Sequence, residues 1–464
     1  MTPTPAFGTP SIAAAIPRWE RWAGWLILAV FAAAGFNHVH TNTIFGQDFY
    51  LHTKGTEAML ADVSRWFPQD FTNRPLIYSL GLIGHWLTHG KAPYEVAGAL
   101  CVLMNTLALW FVHDSTRRFI ASAWLRLAAV AFVAFLPSTQ VAIVVYAGDA
   151  VAQLPFALTV WALLRCLESV SLRACLGFAG LTCFGLVLGN FARFPFVILP
   201  AAVLVTLILA WRCRRLSWQR GLLITLLTLP VPLLTFAWIN HQAAVQLAKD
   251  PKHHSFHWEG AGDMTWHDLL MIKKTDVRIF DAPGYWENEM INGALHYGLP
   301  YTKNYSYPAL LHLSTYTDVL DYANDGQLDN GQVRPEPQKT LSKWSVRLGL
   351  VTSLGMLVAM LWFTFQTLAT LIKPRFAPST GVIIWGMMAL AWYLPLVLAF
   401  PYMENVYDWG YWLSRLIIPS LWGFALVFFA ELDQRLATRP RWVPIVVAVL
   451  IFAQAVMHLR SVWF

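Results

Sequence analysis

Charge is scarce in this 464-residue sequence. Only 13% of its residues are Asp, Glu, Lys or Arg, whereas about 25% is usual for a soluble domain. Hydrophobic residues make up 57% of the chain, which excludes a disordered chain and an ordinary soluble enzyme. The formal net charge of +7 is divided among short segments between apolar runs. No basic face therefore forms a track for a nucleic-acid backbone, and no nucleic-acid partner is expected.

Cysteine is also scarce, and none of the five cysteines lies in the long polar stretch from 240 to 345. No two of them have the CxxC spacing of a zinc knot or a redox pair. We therefore expect the polar stretch to fold without disulfide bonds, even if it faces an oxidising compartment. The sequence contains no GxGxxG and no P-loop string, so it does not indicate a nucleotide site.

Long apolar runs are abundant. A membrane-spanning helix needs about 20 mostly apolar residues, and the sequence offers about eleven such stretches. They lie at roughly 22–41, 94–113, 126–145, 150–167, 174–190, 194–211, 221–239, 348–371, 381–400, 412–431 and 442–458. Two shorter apolar pieces, 58–67 and 75–88, favour helices that lie on the membrane surface. The predicted fold class is an all-α polytopic membrane protein.

Lysine and arginine predict the orientation of the spans. One set of ends and short loops contains Arg18, Arg21, Arg117, Arg118, Arg126, Arg165, Arg173, Arg212, Arg214, Arg215, Arg220, Lys373, Arg375, Arg435, Arg439 and Arg441. The opposite short loops contain a single basic residue, Arg193. Because basic loops stay in the cytoplasm, we expect a cytoplasmic N-terminus and an outside C-terminus. Residues 42–73 and 240–346 would then face the outside.

This topology predicts three parts of the chain. Residues 1–239 form a transmembrane core of seven spans with the first outer loop 42–73, residues 240–346 an outer soluble domain, and residues 347–464 the last four spans. The cytoplasmic connections are short, so an active site would lie outside or within the membrane near its outer face. A signal peptide cleaved near Ala32–Ala34 is an alternative for the start. The apolar stretch continues past these alanines, which favours an anchor instead.

Two acidic residues lie near predicted outer span ends. Asp48 follows the first span in GQDFYLHTKG, where a carboxylate is costly to desolvate without a partner. It is a candidate general base for an acceptor hydroxyl, and the alternative is a helix cap or a solvated loop acid. Asp149, in YAGDA, is the second candidate acid. It would serve equally well as the N-cap of the following span.

Basic and hydroxyl-bearing residues near the same face are candidates for substrate binding. Arg193 in NFARFPFVILP carries a planar guanidinium that suits a phosphate, and the alternative is snorkelling to lipid headgroups. Arg415 in YWLSRLIIPS lies a few residues into the tenth span from its outer end. Together the two arginines could clamp a phosphate headgroup. Tyr50, His52 and Lys54 in the first outer loop complete the set.

Metal ligation is left open by the sequence. The histidines of KDPKHHSFHW match no named metal site and are more simply explained by a solvated loop. The acids of YTDVLDYANDGQLDNG lack the spacing and the final Glu of an EF-hand. No cofactor is indicated with certainty, and a divalent metal stays an alternative.

Taken together, these features resemble the GT-C superfamily of membrane glycosyltransferases, which use polyprenyl-phosphate-linked sugars. The resemblance in style is to bacterial aminoarabinose and protein mannosyl transferases. It depends on the order of features: Asp48 after the first span, RPLIYSLGLIGHWL before the second, Asp149 after the third, Arg193 before a proline, and Arg415 opening a late span. It covers about 20–210 and 380–430, and the outer segment 240–346 matches no family.

The resemblance implies an inverting hexosyl- or pentosyltransferase in a bacterial inner membrane, with its active site facing the periplasm. The donor would be a polyprenyl-phosphate-linked sugar, and the acceptor a cell-surface glycan, lipid or protein. Asp48 would be the general base, and Arg193 and Arg415 would hold the lipid phosphate. Asp149 would orient the acceptor or a metal.

Two other classes stay open. One is a ligase or polymerase of surface polysaccharide. The other is a secondary transporter, which usually carries charges at span centres and an internal repeat. Few such charges and no clear repeat occur in this sequence.

Overall fold

A computed structural model of the chain describes residues 17–41, 47–62, 75–144, 148–249, 271–272, 274–281, 306–317, 336–399 and 417–463. Regular structure in these ranges is helical, and they contain no strand. The predicted all-α class is confirmed.

The described helices follow one another in chain order. The first group is α1 (Arg18–Thr41), α2 (Gln47–Ala61), α3 (Pro75–Thr88), α4 (Pro93–Thr116), α5 (Ala123–Phe135), α6 (Pro137–Val144), α7 (Gly148–Glu168), α8 (Leu172–Asn190), a 3-10 helix (Phe194–Val197), α9 (Leu199–Arg212), α10 (Trp218–Thr228) and α11 (Pro230–Lys249). The second group is a 3-10 helix (Lys274–Asp281), α12 (Tyr307–Tyr316), α13 (Glu336–Ile372), a 3-10 helix (Pro374–Phe376), α14 (Thr380–Ala399), α15 (Ile418–Leu436) and α16 (Trp442–Trp463).

Where the structure describes the eleven predicted apolar stretches, they are helical, and in two of them a proline begins a second α-helix. The stretch at 126–145 is α5 followed by α6, with the break at Pro137, and the stretch at 221–239 is α10 followed by α11, with the break at Pro230. Proline lacks the amide hydrogen that would continue the helical bonding, and its ring clashes with the preceding turn. Each of these stretches therefore contains two helices where one was expected.

Seven described segments are long and apolar enough to cross a membrane. They are Pro93–Thr116, Ala150–Glu168, Leu172–Asn190, Phe194–Arg212, Trp218–Val245, Thr340–Ile372 and Trp442–Val462. Lengths of 19 to 33 residues match the thickness of a bilayer's hydrocarbon core. The chain is a multi-pass membrane protein, and the count of eleven spans stays a prediction.

The predicted cytoplasmic ends meet at one end of the helix bundle. Glu20 of α1, which is fully buried, forms a two-point ion pair with Arg126 of α5, both N–O distances being 2.8 Å. The backbone amides of Ala121 and Ser122 donate to the carboxylate of Asp433 in α15 at 2.6 and 3.1 Å. The start of the chain, the loop before α5 and the end of α15 are thus joined.

Two further contacts extend this basic end. Arg118 pairs with Glu168 at the end of α7 at 2.9 Å. Arg215 donates to the carbonyl oxygen of Pro378, before α14, at 2.8 Å. The segments that the charge pattern assigned to one side of the membrane therefore do lie side by side.

A buried polar network attaches α12 to α13 and α16. His312 contacts the Ser353 hydroxyl through Nδ1 at 3.0 Å and the carbonyl oxygen of Val346 through Nε2 at 2.9 Å. The Ser345 hydroxyl lies 2.7 Å from the carbonyl oxygen of Tyr316 and 2.6 Å from Nδ1 of His458. Because α12 belongs to the predicted outer segment, this network fixes part of that segment on the bundle.

Candidate active site

A second, smaller hydrophobic cluster lies at the end of the bundle opposite the basic loops. Its buried members are Met59, Ile77, Tyr78, Leu80, Ala97, Cys101, Ala150, Val151 and Ala192. Helices α4 and α7 end among the basic loops, so the starts of both helices lie at the other end. The cluster joins α2, α3, the starts of α4 and α7, and the turn after α8.

Asp149 and Arg193 are sequence neighbours of this cluster. Asp149 precedes Ala150 in the first turn of α7, and Arg193 follows Ala192 in the turn after α8. Arg193 lies 44 positions after Asp149 in the chain. The fold nevertheless brings the two segments onto one cluster. The side chain of Asp149 is outside the described residues, so its role stays a prediction.

Asn105 of α4 holds the first turn of α7 in place. Its Nδ2 donates to the carbonyl oxygen of Ala150 at 2.7 Å and to that of Cys101 at 2.9 Å. The side chain is fully buried, and losing such a hydrogen bond in a buried site costs about 1–3 kcal/mol. The sequence analysis missed Asn105. A lone amide in the apolar run ALCVLMNTLALW was the signal that could have found it.

The turn that contains Arg193 is held from two directions. Nδ2 of Asn190 donates to the carbonyl oxygen of Pro232 in α11 at 2.7 Å. The amide of Leu76 in α3 donates to the carbonyl oxygen of Phe191 at 3.0 Å. Asn190 opens the predicted motif NFARFP, yet its part in fixing the turn was also missed.

Arg193 is buried, with 8% of its surface exposed. Its backbone is extended, with φ −157° and ψ 144°, and its amide donates to the carbonyl oxygen of Gly189 at 2.8 Å. A snorkelling arginine keeps its charged head in interfacial water, which such burial does not allow. The structure thus disfavours the snorkelling alternative, and the role of Arg193 in substrate binding stays a prediction.

Helix α2 contains four of the candidate residues. It begins at Gln47, so Asp48, Tyr50, His52 and Lys54 lie in a helix and not in the loop that we expected before residue 58. The Lys54 side chain is exposed, and the side chains of the other three are outside the described residues. The expected boundary of the short helix at 58–67 is therefore wrong at its start.

Close packing explains why α2 continues through Gly55. A Cβ atom at this position would collide with the ring of Tyr78 in α3, so only glycine allows the two helices to approach this closely. The Tyr94 hydroxyl adds a hydrogen bond to the carbonyl oxygen of Thr53 at 3.4 Å. These contacts between helices outweigh the low helix propensity of glycine.

Asp48 lies near the start of α2 and Met59 near its end. Eleven residues separate them, which is about 16 Å along a helix axis at 1.5 Å per residue. Met59 is fully buried in the second cluster. The structure therefore joins α2 to the cluster through its later turns, and it does not show Asp48 beside Asp149 or Arg193.

Arg415 and the histidines His253, His254 and His257 lie outside the described residues. Within the ranges that the structure describes, no group of three or more His, Cys, Asp and Glu side chains is arranged to hold a metal ion. A divalent metal therefore stays an alternative, as in the sequence analysis.

No protein-family profile matches the chain, and no curated protein sequence matches it. The oligosaccharyltransferase of Archaeoglobus fulgidus, solved in the apo form, matches 96% of this chain and 57% of its own, with 13% identity and a TM-score of 0.51. ArnT from Cupriavidus metallidurans, in the apo state, matches 96% of this chain and 78% of its own, with 14% identity and a TM-score of 0.40. ArnT bound to undecaprenyl phosphate matches 89% and 79%, with 14% identity and a TM-score of 0.38.

The archaeal structure decides the comparison, because its TM-score is above one half. The chain shares its fold with the matched part of this oligosaccharyltransferase. At 13% identity this likeness concerns the fold alone, and it spans little more than half of the archaeal chain. The predicted resemblance is confirmed at the level of the fold, and the roles of the residues that suggested it stay predictions.

Proposed function

We propose that the protein is a membrane glycosyltransferase that moves a sugar from a polyprenyl-phosphate donor to an acceptor hydroxyl, with inversion. The acceptor would be a cell-surface glycan, a lipid or a protein. The observation that carries the proposal is that the Asp149 turn and the turn that contains the buried Arg193 meet on one cluster. The archaeal protein that shares the fold is named an oligosaccharyltransferase, which is also a sugar-transferring enzyme.

Arg193 would stabilise the leaving group. When the bond between the anomeric carbon and the phosphate oxygen breaks, its electron pair remains on that oxygen. A cation held in a water-poor site stabilises this charge strongly, and a guanidinium can donate two parallel hydrogen bonds to a phosphate. Arg415 would be the second cation, and Tyr50, His52 and Lys54 would contact the donor.

Asp48 would act as the general base. The acceptor oxygen attacks the anomeric carbon from the face opposite the phosphate, and its proton passes to the carboxylate. Asp149 would orient the acceptor or bind a divalent metal. Asp48 and Asp149 occupy the first turns of α2 and α7, where the helix dipole favours negative charge.

The orientation of the reaction is part of the proposal. The gathering of the basic ends, together with the positive-inside pattern, supports a bacterial inner membrane with those ends in the cytoplasm. The Asp149 turn and Arg193 lie at the opposite end of the bundle, so the active site would face the periplasm.

The test uses the purified full-length protein in detergent with a panel of polyprenyl-phosphate sugars, with and without acceptors. Mass spectrometry would follow the release of polyprenyl phosphate. Asp48→Asn should lower turnover about 100-fold or more, as expected for loss of a general base, while donor binding persists. Glu57→Gln is the matched control, because Glu57 is an exposed acid of the same helix, and it should leave turnover unchanged.

Each result has a distinct meaning. Turnover by the wild type that Asp48→Asn does not reduce would place the base elsewhere, with Asp149 as the next residue to replace. If no donor is consumed and the reconstituted protein moves a solute across liposomes, the glycosyltransferase proposal fails and the transporter alternative replaces it.

A further inference from the structure

We propose that residues 271–272 and 274–281 form a membrane-contacting edge of the outer segment and that the lipid surface is their partner. The proposal requires only that α13 crosses a membrane, so it is independent of the proposed reaction. It concerns the short stretch around the 3-10 helix Lys274–Asp281, which no sequence motif singled out.

The stretch exposes large apolar side chains in a segment that is otherwise polar. Met271 is 55% exposed, Ile272 78% and Val277 68%. Ile279, by contrast, is buried in the main core at 4% exposure. One side of the stretch is thus fixed on the protein while the other side presents apolar surface. Such surface in a soluble setting usually marks an interaction site.

Contacts with α13 place the stretch at the level of the membrane surface. The carbonyl oxygen of Phe280 accepts a hydrogen bond from Nε of Arg347 at 3.1 Å. The Arg347 guanidinium in turn lies over the ring of Trp344, 5.5 Å from its centroid. Tryptophan and arginine are typical of the boundary between lipid and water. Both residues lie in the first turns of the span Thr340–Ile372.

The exposed face of α13 indicates that the partner is lipid. Beyond Trp344 and Arg347 the exposed side chains along α13 include Leu348, Val351, Leu354, Val358 and Leu361. In a membrane-spanning helix this exposed apolar stripe faces lipid. Phe280 is hydrogen-bonded to Arg347, at the start of that stripe. The exposed apolar side chains beside Phe280, which are Met271, Ile272 and Val277 and are called the apolar tip below, would therefore contact the same lipid. Lys274 is exposed as well, and its ammonium can reach the headgroups while its stem lies on apolar surface.

The neighbouring helix α12 keeps the stretch in position. The ring of Phe280 lies 6.0 Å from that of His312, and His312 is bonded to Ser353 and Val346 of α13. The apolar tip is therefore carried on a part of the protein that is attached to the bundle at several points.

Site-directed spin labelling tests the proposal in lipid nanodiscs. Cys183→Ala and Cys213→Ala remove the two cysteines that are not fully buried, and a nitroxide is then attached at Ile272→Cys. Leu361→Cys, in the middle of α13, is the lipid reference. Val170→Cys, 88% exposed in the turn between α7 and α8, is the water reference. Power saturation with oxygen and with a water-soluble nickel chelate measures the surroundings of each label.

Lipid contact predicts that the ratio of oxygen to nickel accessibility at position 272 resembles that at 361 and exceeds that at 170. A ratio like that of position 170 would show an open aqueous surface and overturn the proposal. Low accessibility to both reagents would show that protein covers the stretch, and that result would overturn it too. Ile272 is largely exposed, so the label should not disturb folding, and elution as a single species would confirm this.

Discussion

Substitutions of the buried Arg193 can separate the effect of its charge from that of its planar guanidinium. Arg193→Gln removes the charge, and Arg193→Lys keeps it but loses the planar fork. A hydrogen bond to a charged group contributes about 1.5–3 kcal/mol. We therefore expect the donor KM to rise roughly 10- to 150-fold in the glutamine variant, with the lysine variant in between. Steady-state kinetics with a polyprenyl-phosphate sugar would measure this.

Arg347→Gln is the matched control for this prediction. Arg347 is an exposed arginine near the same end of the bundle, so its replacement should leave the donor KM unchanged. An unchanged KM in Arg193→Gln would remove Arg193 from the phosphate site.

Gly55 shows how a single missing side chain sets the distance between two helices. In Gly55→Ala the new methyl group would collide with Tyr78, and overpacking of this kind costs about 1–3 kcal/mol. We expect a lower Tm in detergent and a lower kcat, because α2 contains Asp48. Gly177→Ala has open space around it and should be neutral or stabilising. Equal Tm values for the two variants would contradict the packing argument.

The attachment of α12 to α13 depends on a neutral His312. The carbonyl oxygen of Val346 can only accept a hydrogen bond, so Nε2 of His312 carries a proton, and Nδ1 is left to accept one from Ser353. Burial lowers the pKa of His312 to about 4, and the hydrogen bond to Val346 opposes this shift only in part. The imidazole is therefore uncharged at neutral pH.

This pKa predicts that acid weakens the attachment. The folded-state pKa lies below the usual value of 6.5, so between pH 6.5 and 4 the unfolded chain binds more protons than the folded one. The contribution of His312 to stability is complete above pH 6.5 and falls by at most about 3 kcal/mol as the pH drops to 4.

Hydrogen exchange of residues 307–316 at pH 7.5 and pH 5 would measure this loss. In His312→Gln the exchange should change less between the two pH values, because the titrating group is absent. If the two proteins show the same pH dependence, another group is responsible.

Most elements could be predicted from the sequence, because apolar runs long enough to span a bilayer leave few alternatives to helix. The breaks at Pro137 and Pro230 were missed, since the runs stay apolar on both sides of each proline. The early start of α2 was missed for a different reason. Gly55 weakens a helix by local propensity, and only the contact with Tyr78, 23 positions later at 55 and 78, reverses that preference.

The candidate site was predictable in part. Asp149 and Arg193 stand out in sequence as charges in apolar surroundings, and their segments do meet. Asn105 and Asn190 did not stand out, because their importance depends on carbonyl groups 45 and 42 residues away in the chain. Contacts of that range are set by how helices pack, which residue type and spacing alone do not reveal.

Across the whole molecule, the basic end holds distant parts of the chain together, and two of its ion pairs should differ in strength. Arg126→Ala leaves Glu20 as an unpaired, fully buried carboxylate, which typically costs 3–5 kcal/mol. Arg118→Ala breaks a pair whose side chains are 27% and 28% exposed, and such pairs contribute about 0–1 kcal/mol. We expect a clearly lower Tm for Arg126→Ala alone. Equal losses would mean that Glu20 finds another partner.

The bonds from Ala121 and Ser122 to Asp433 cross 312 and 311 positions of sequence, and α5 also packs against α16 at the end of the chain. During synthesis α5 is therefore made long before α15 and α16, two of the helices that pack against it. Lipid or the insertion machinery has to cover that face until α15 and α16 follow. Until α15 and α16 are made, the first half of the chain is thus an incompletely packed intermediate. Chains that stop before residue 418 should be cleared by membrane proteases and not accumulate as stable fragments.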